Sequence, residues 1–312
     1  MLCHQDNCAV GLMKKNFLIF SPILLLTSLI IVFHTGLGTV AKAASFSHPG
    51  GFHTQAQLDR TRSQILAGAS PWSAAYNKLL GEADKALGHT PNPPIEVNTC
   101  SPYDTTCDQS ANWEIAQNMY HDTEAAYAAA LAYAINANLS ASQRDQYGRK
   151  AVEILKAWAY TNRGITNSQA NLDSAVSLNE FIHAAELMWS SQLWTDQDRN
   201  TFRQWADTVL YPSCENIAAF AYSEGYTDEY GKGGWPGSIN WGDWGIFCSL
   251  AIDHLLENQT RLNKDIDHLK EIIDVQIRPD GSMPLELSRG ESSGWYTYLR
   301  GRGVFTPPTH LI

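Results

Sequence analysis

The sequence predicts an all-α chain whose helices come in successive pairs. Three observations lead there. Helix-start chemistry recurs along the chain, apolar residues repeat at helical spacing, and strand signals are scarce.

The elements follow in order. Thr54 with Gln57 reads as a capping box, in which each side chain satisfies the other's backbone N–H, and it opens a helix toward Leu66. Ser70-Pro71 offers a cap and a first-turn proline ahead of Trp72, Tyr76, Leu79 and Leu80. Ser140 caps a segment in which Tyr147, Ala151, Ile154, Leu155 and Trp158 fall on one face. Further helices are expected over 112–137, 171–193, 195–210, 242–257 and 261–277. Two long loops interrupt them. Residues 89–111 are rich in Pro, Asn, Thr and Cys, and residues 222–241 are glycine-rich around Gly231, Gly233, Gly234 and Gly237. Loops of that length on a helical scaffold line a site or lie disordered. Their aromatic residues and nearby cysteines favour a site. At the far end, Glu291 to Leu299 reads as a helix start that runs at once into Gly301, Gly303, Pro307 and Pro308. Either the domain ends there or the chain departs from its ancestral frame near Arg300, so residues 300–312 are expected to form an atypical tail.

The N-terminus carries an export signal. Lys14 and Lys15 precede an apolar run from Phe17 to Phe33, and Ala41-Lys42-Ala43 gives a small-x-small cleavage pattern. Residues 1–43 are therefore read as a signal region, with Met13 a plausible start, and residues 44–299 as the mature domain. A membrane anchor is the alternative reading of the same run. No other apolar run is long enough to span a bilayer, so no stable membrane association is expected after cleavage. The destination is secreted or periplasmic.

Cysteine usage agrees. Cys3 and Cys8 precede the signal, which leaves Cys100, Cys107, Cys214 and Cys248. Four cysteines allow three pairings. Cys100 with Cys107 is the most local, and Cys214 with Cys248 follows from it. The spacings match no common zinc pattern, and an oxidising compartment favours disulfides.

A hydrophobic content of 44% against 17% charged suits a globular protein with a substantial core. The formal charge of −10 becomes about −12 once the leader is removed, since it carries three lysines against one aspartate. Nucleic acid is excluded as a partner on that ground. A polyanionic partner would require the few cations to be gathered in one groove. Aromatics reach 11%, with ten Trp. Such rings fill helical cores, and they also stack on the C–H faces of sugars.

The stretch from Asp280 to Leu299, DGSMPLELSRGESSGWYTYL, is the most informative. Pro284 and Glu286 form a P-x-E segment, Arg289-Gly290 follows, and Tyr296 lies seven residues beyond the Arg. A second stretch, SINWGDWG, contains Asn240. HPGGFHT ahead of an amphipathic helix and the alanine-rich segment near 125–135 complete the set. In this order the motifs resemble the alginate lyase family of polysaccharide lyases, over most of residues 48–299. The resemblance implies an incomplete (α/α) toroid of helical hairpins, possession of no cofactor, and an acidic polysaccharide as substrate. It implies catalytic roles for Arg289 and Tyr296 and a carboxylate-contacting role for Asn240. One departure stands out. Where the best-known branch has a His after the Asn, this chain has Trp241, as in branches with an Asn-Trp pair.

The chemistry asks for these residue types in any case. Loss of a uronate C5 proton places charge on the adjacent carboxylate, and fixed donors must neutralise it. An amide such as Asn240 and a forked guanidinium such as Arg289 do so. A neighbouring Arg⁺ favours the phenolate of Tyr296 as base. Seven residues are about two helical turns, which lets both side chains enter one cleft. No metal is required.

Each residue also has a plain structural reading. Tyr296 beside Trp295 and Tyr298 fits a core, Arg289 fits a surface pair with Glu286 or Glu291, and Asn240 fits a helix cap. Trp113, Trp235, Trp241 and Trp244 are candidate stacking platforms. His121 and His183 are weaker substrate-binding candidates, His183 sitting on an apolar stripe. His48 and His53 have the chemistry of metal ligands, but the sequence positions no carboxylate beside them. The competing functions are an (α/α)-barrel glycoside hydrolase using Asp243 and Glu286, and a sugar-binding protein without turnover.

Overall fold

The computed structural model describes residues 45–101, 104–219 and 239–283. The signal region, the 300–312 tail, Trp235, Arg289 and Tyr296 lie outside the described residues. Among the described residues ten α-helices carry the fold, and the β structure there is a two-residue parallel pair. The helices are α1 (Gln55–Leu66), α2 (Trp72–Leu87), α3 (Gln109–Ile135), α4 (Ala141–Thr161), α5 (Ser168–Ser177), α6 (Asn179–Met188), α7 (Asp196–Trp205), α8 (Tyr211–Ala218), α9 (Asn240–Leu255) and α10 (Gln259–Gln276). A π-helical turn, Ala206–Leu210, joins α7 to α8. No described helix is long and apolar enough to cross a membrane.

The capping chemistry mostly sits where the sequence puts it. Gln57 N donates to Thr54 Oγ1 at 3.2 Å while Thr54 N donates to Gln57 Oε1 at 2.8 Å. Ser140 and Gln143 repeat the box at α4. Ser70 differs: α2 starts at Trp72, its cap position is Pro71, and no side chain caps it. There Ser73 N and Ala75 N bond to the carbonyls of Ala69 and Pro71 instead. The helix expected over 171–193 is two helices, broken at Leu178, a residue shared by the end of α5 and the start of α6.

The hairpins stack into two layers. Helices α2, α4 and α7 contact one another in sequence on the outside, and α3, α5–α6 and α9 do so on the inside. Inner α3 packs on α2, α6 on α4 and α9 on α8, which is the arrangement of an (α/α) toroid. The core lies between the layers. Trp158 and Ile154 of α4, Phe181 and Ile182 of α6 and Phe202 of α7 are fully buried there. The apolar face of α4 expected from the sequence is entirely buried.

Two disulfides staple this frame. Cys100–Cys107 closes the turn ahead of α3, and Cys214–Cys248 ties α8 to α9 with Cα atoms 5.7 Å apart. The long loop before α3 packs closely where it is described. Val97 is fully buried in the β pair with Ile165, and Thr99 Oγ1 donates to Asp173 at 2.6 Å.

Candidate active site

Three inner helices and one incoming segment converge. Phe52 and His53, just ahead of α1, enter between α3, α6 and α9. The Phe52 ring stacks on His183 of α6 at 4.6 Å and lies 6.2 Å from Phe247 of α9. His183 is in turn 5.5 Å from Phe247 and 6.4 Å from Tyr127 of α3. Burial holds His183 neutral, its pKa falling to about 3, with His53 adding to the effect. Its place is this aromatic layer and not a solvent-facing wall.

The order of contacts shows that the three helices run the same way. Along α3 and α6, Glu124 precedes Tyr127 as Glu180 precedes His183, and the two pairs interact. Along α6 and α9, His183 meets Phe247 and Glu186 meets His254. The N-terminal turns of α6 and α9 therefore point to the same end as Tyr120, His121 and Glu124. Asn240 opens α9 at that end. The cap position is Ile239, without a side-chain hydrogen bond, so Asn240 does not cap the helix. Asn240 and Trp244 share the stripe that continues through Phe247 to His254, and Trp244 lies 6.3 Å from Phe247. Trp241 turns aside and packs on Ile239 and Val275. Trp113 stands about 10 Å further out along α3 than Tyr120 and is 66% exposed.

Beside this end is a cavity of about 430 Å³. Lys78, Glu82 and Lys85 of α2 line one wall, Tyr120, His121 and Glu124 of α3 another, with His89 and Glu180 completing it. This gathers two lysines and two histidines of an acidic chain in one place. His121 is exposed there. His89 is fixed, its Nε2 being 2.5 Å from Asp122 Oδ1. Asp122 itself is buried and also accepts from Trp158 Nε1 at 2.6 Å. Glu82 is paired with Lys85 at 3.0 Å.

One carboxylate of the cavity, Glu180, is perturbed. Burial lifts Glu180 to about 7, and the charge of Glu124 adds to it. Its Oε2 is buried without a protein partner. Tyr120 is pushed up to about 12 by its hydrogen bond to Glu124, then by burial. The sequence singles out none of Glu180, Lys78 and Lys85, and marks Glu124 no further than as a glutamate neighbour of His121 on one helix. Only the break at Leu178 marks Glu180, because it puts that carboxylate in the first turn of α6.

The structure also relates α10 to the start of α9. Gln276, the last residue of α10, donates from Nε2 to Asp243 Oδ1 at 2.8 Å. The chain thus leaves α10 beside the first turn of α9, thirteen residues ahead of Arg289. That bond engages one carboxylate oxygen of Asp243, the residue a hydrolase would use.

A comparison with curated proteins gave no match. A family model described as Alginate lyase matches residues 83–299, a stretch that includes the cavity's α3 wall together with Asn240, Arg289 and Tyr296. That match covers more than half of the chain, takes in the helical frame from the last turn of α2 onward, and places this polysaccharide lyase in the alginate lyase family.

Proposed function

We propose that this chain is an exported lyase that cleaves a uronic-acid polymer, polymannuronate-type alginate or glucuronan, by β-elimination. The polymer lies across the N-terminal ends of α3, α6 and α9, with one uronate carboxylate against Asn240 and Arg289. The observation that carries the reading is the position of Asn240. It opens α9 beside the exit of α10, whose last residue precedes Arg289 in the sequence by thirteen residues. The positive end of the α9 dipole favours an anion there.

In the reaction Asn240 and Arg289 stabilise the charge that develops on the carboxylate as C5 loses its proton. Tyr296, held toward phenolate by Arg289, takes that proton. The C4–C5 double bond forms as the C4–O4 bond breaks, and the Tyr296 hydroxyl returns its proton to O4. In β-linked mannuronate and glucuronate the C5 hydrogen and O4 leave from one face, so a single Tyr serves both steps. Trp113, Trp235, Trp244 and His121 are assigned to sugar contacts along the cleft, and Trp241, packed on Ile239 and Val275, is left out. Lys78 and Lys85 fit a flanking uronate in the adjacent cavity. The two disulfides and the leader at residues 1–43 support export.

The experiment incubates purified protein with polymannuronate, polyguluronate, glucuronan and glycosaminoglycans and follows ultraviolet absorbance. New absorbance from the C4–C5 double bond supports elimination. Reducing ends without that absorbance indicate a hydrolase, and binding with neither indicates a sugar-binding protein.

A further inference from the structure

Behind the aromatic layer of Phe52, His183 and Phe247 lies a second constellation, which the β-elimination does not use. It joins three parts of the chain: the segment ahead of α1, the C-terminal half of α6, and the last turn of α9. Glu186 Oε1 is 2.7 Å from His48 Nδ1 and 3.3 Å from His254 Nδ1. The three ligand atoms all lie within 4.8 Å of one another. We propose that His48, Glu186 and His254 form a binding site for a divalent transition metal of the zinc type, which clamps the N-terminal segment onto α6 and α9.

The donor chemistry fits. Two imidazole nitrogens and one carboxylate oxygen form a set that zinc accepts, with a fourth position left for water. The surroundings are those of a metal site as well. Metal-bound histidines commonly donate the other ring N–H to a carboxylate, which fixes the ring and its tautomer. Here His48 Nε2 lies 3.1 Å from Glu257 Oε1. Glu186 is oriented through its second oxygen, which accepts from Gly50 N at 3.1 Å. The side chains of His48 and Glu186 are 5% and 4% exposed, and Trp189 packs on the His48 ring at 4.3 Å. Both side chains are thereby shielded from bulk solvent.

The backbone is shaped to the same end. A Cβ at Gly50 would come within 2.1 Å of Ser47 O and 3.0 Å of His254 Cε1. Only glycine lets the chain pass this close to the His254 ring while presenting its N–H to Glu186. The first glycine of the HPGG sequence is therefore explained by the site it builds. Glu186 stands about 9 Å along α6 from Glu180, with the aromatic layer between them, so the role is structural.

The test uses the mature, tag-free protein with its disulfides intact, stripped with a chelator and titrated with zinc chloride by calorimetry. The expected result is one zinc per chain with a micromolar or tighter Kd and a rise in Tm at saturation. In parallel, Co²⁺ should give a visible absorption band of a low-coordinate nitrogen–oxygen site. His254→Gln should weaken zinc binding at least tenfold. If that variant does not fold, Glu257→Gln replaces it, since that side chain is 48% exposed. The loss expected there is also about tenfold, as for other outer-shell partners. Absence of stoichiometric zinc in the wild type overturns the site, and so does affinity unchanged in the folded variant.

Discussion

The phenolic oxygen of Tyr127 lies 2.6 Å from Nε2 of His53. Burial raises the Tyr127 hydroxyl above its ordinary value and lowers His53 to about 4. The contact is therefore one hydrogen bond between two neutral groups, and it seals the point where the N-terminal segment enters between the inner helices. Tyr127→Phe removes the hydroxyl and leaves a desolvated ring nitrogen unpaired. That should cost about 1–3 kcal/mol, read as a lower midpoint in denaturant at pH 7. An unchanged midpoint would show that water replaces the hydroxyl at no cost.

The same layer sets the acid limit of the fold. His53 and His183 are depressed to about 4 and about 3, below the ordinary 6.5, chiefly by burial. The native state binds fewer protons than the unfolded chain between those values and 6.5, so stability falls as pH falls through that window. NMR of the ring C–H signals should show both histidines unprotonated from pH 7.5 down to 5. Either one titrating near 6.5 would mean that the layer is open to water.

Glu180 carries the opposite sign. Burial and the Glu124 charge raise it from 4.5 to about 7. The native state keeps a proton that the unfolded chain releases between pH 4.5 and 7, so stability is lost as pH rises over that window, by about 3 kcal/mol at most. A polyanion should also bind best while Glu180 is neutral. KM on a polyuronate should accordingly rise several-fold from pH 6 to pH 9 in the wild type and stay nearly flat in Glu180→Gln. Parallel profiles for the two proteins would remove Glu180 from the cleft.

Much of this frame was legible in the sequence, and the reasons are local. Thr54 with Gln57 and Ser140 with Gln143 announce helix starts because a cap needs only residues three apart. The stripe from Tyr147 to Trp158 announces a buried face through its period alone. The break at Leu178 was not legible, since both halves keep an apolar stripe and no proline or glycine marks the joint. Glu186 beside His48 was out of reach for another reason. The two are 138 residues apart, and only the closing of the inner layer brings them together. Cys214–Cys248 follows once the local pair is chosen, although the sequence does not say that it joins α8 to α9.

That disulfide has a partner in Gly245. A Cβ there would fall 2.2 Å from Ala218 N and 2.7 Å from Cys214 O, so α8 and α9 touch through backbone. Gly245→Ala must push the helices apart against the Cys214–Cys248 bond one turn away. The expected cost is about 1–3 kcal/mol, as for overpacking elsewhere. Because Asn240 lies on the same helix, turnover should drop more than the Tm shift alone explains. Normal activity in a folded Gly245→Ala protein would mean that α9 tolerates the displacement.

The proposed proton transfer makes the sharpest demand. Tyr296→Phe deletes one oxygen, so polymer binding should persist while kcat falls by about 10²- to 10⁴-fold, the usual range for a general acid–base group. Arg289→Lys keeps the charge and loses the planar fork, so it should also fall well below wild type. Asn240→Ala should lose one carboxylate donor, and its kcat should drop while the protein still folds, since the side chain does not cap α9. Methyl-esterified polymer, which presents no ionised carboxylate, should be cut poorly by the wild type. If Tyr296→Phe keeps activity within about threefold of wild type, well under that range, the base lies elsewhere. In that event Glu180 and His121, which line the cavity at the same end of the inner helices, become the groups to vary next.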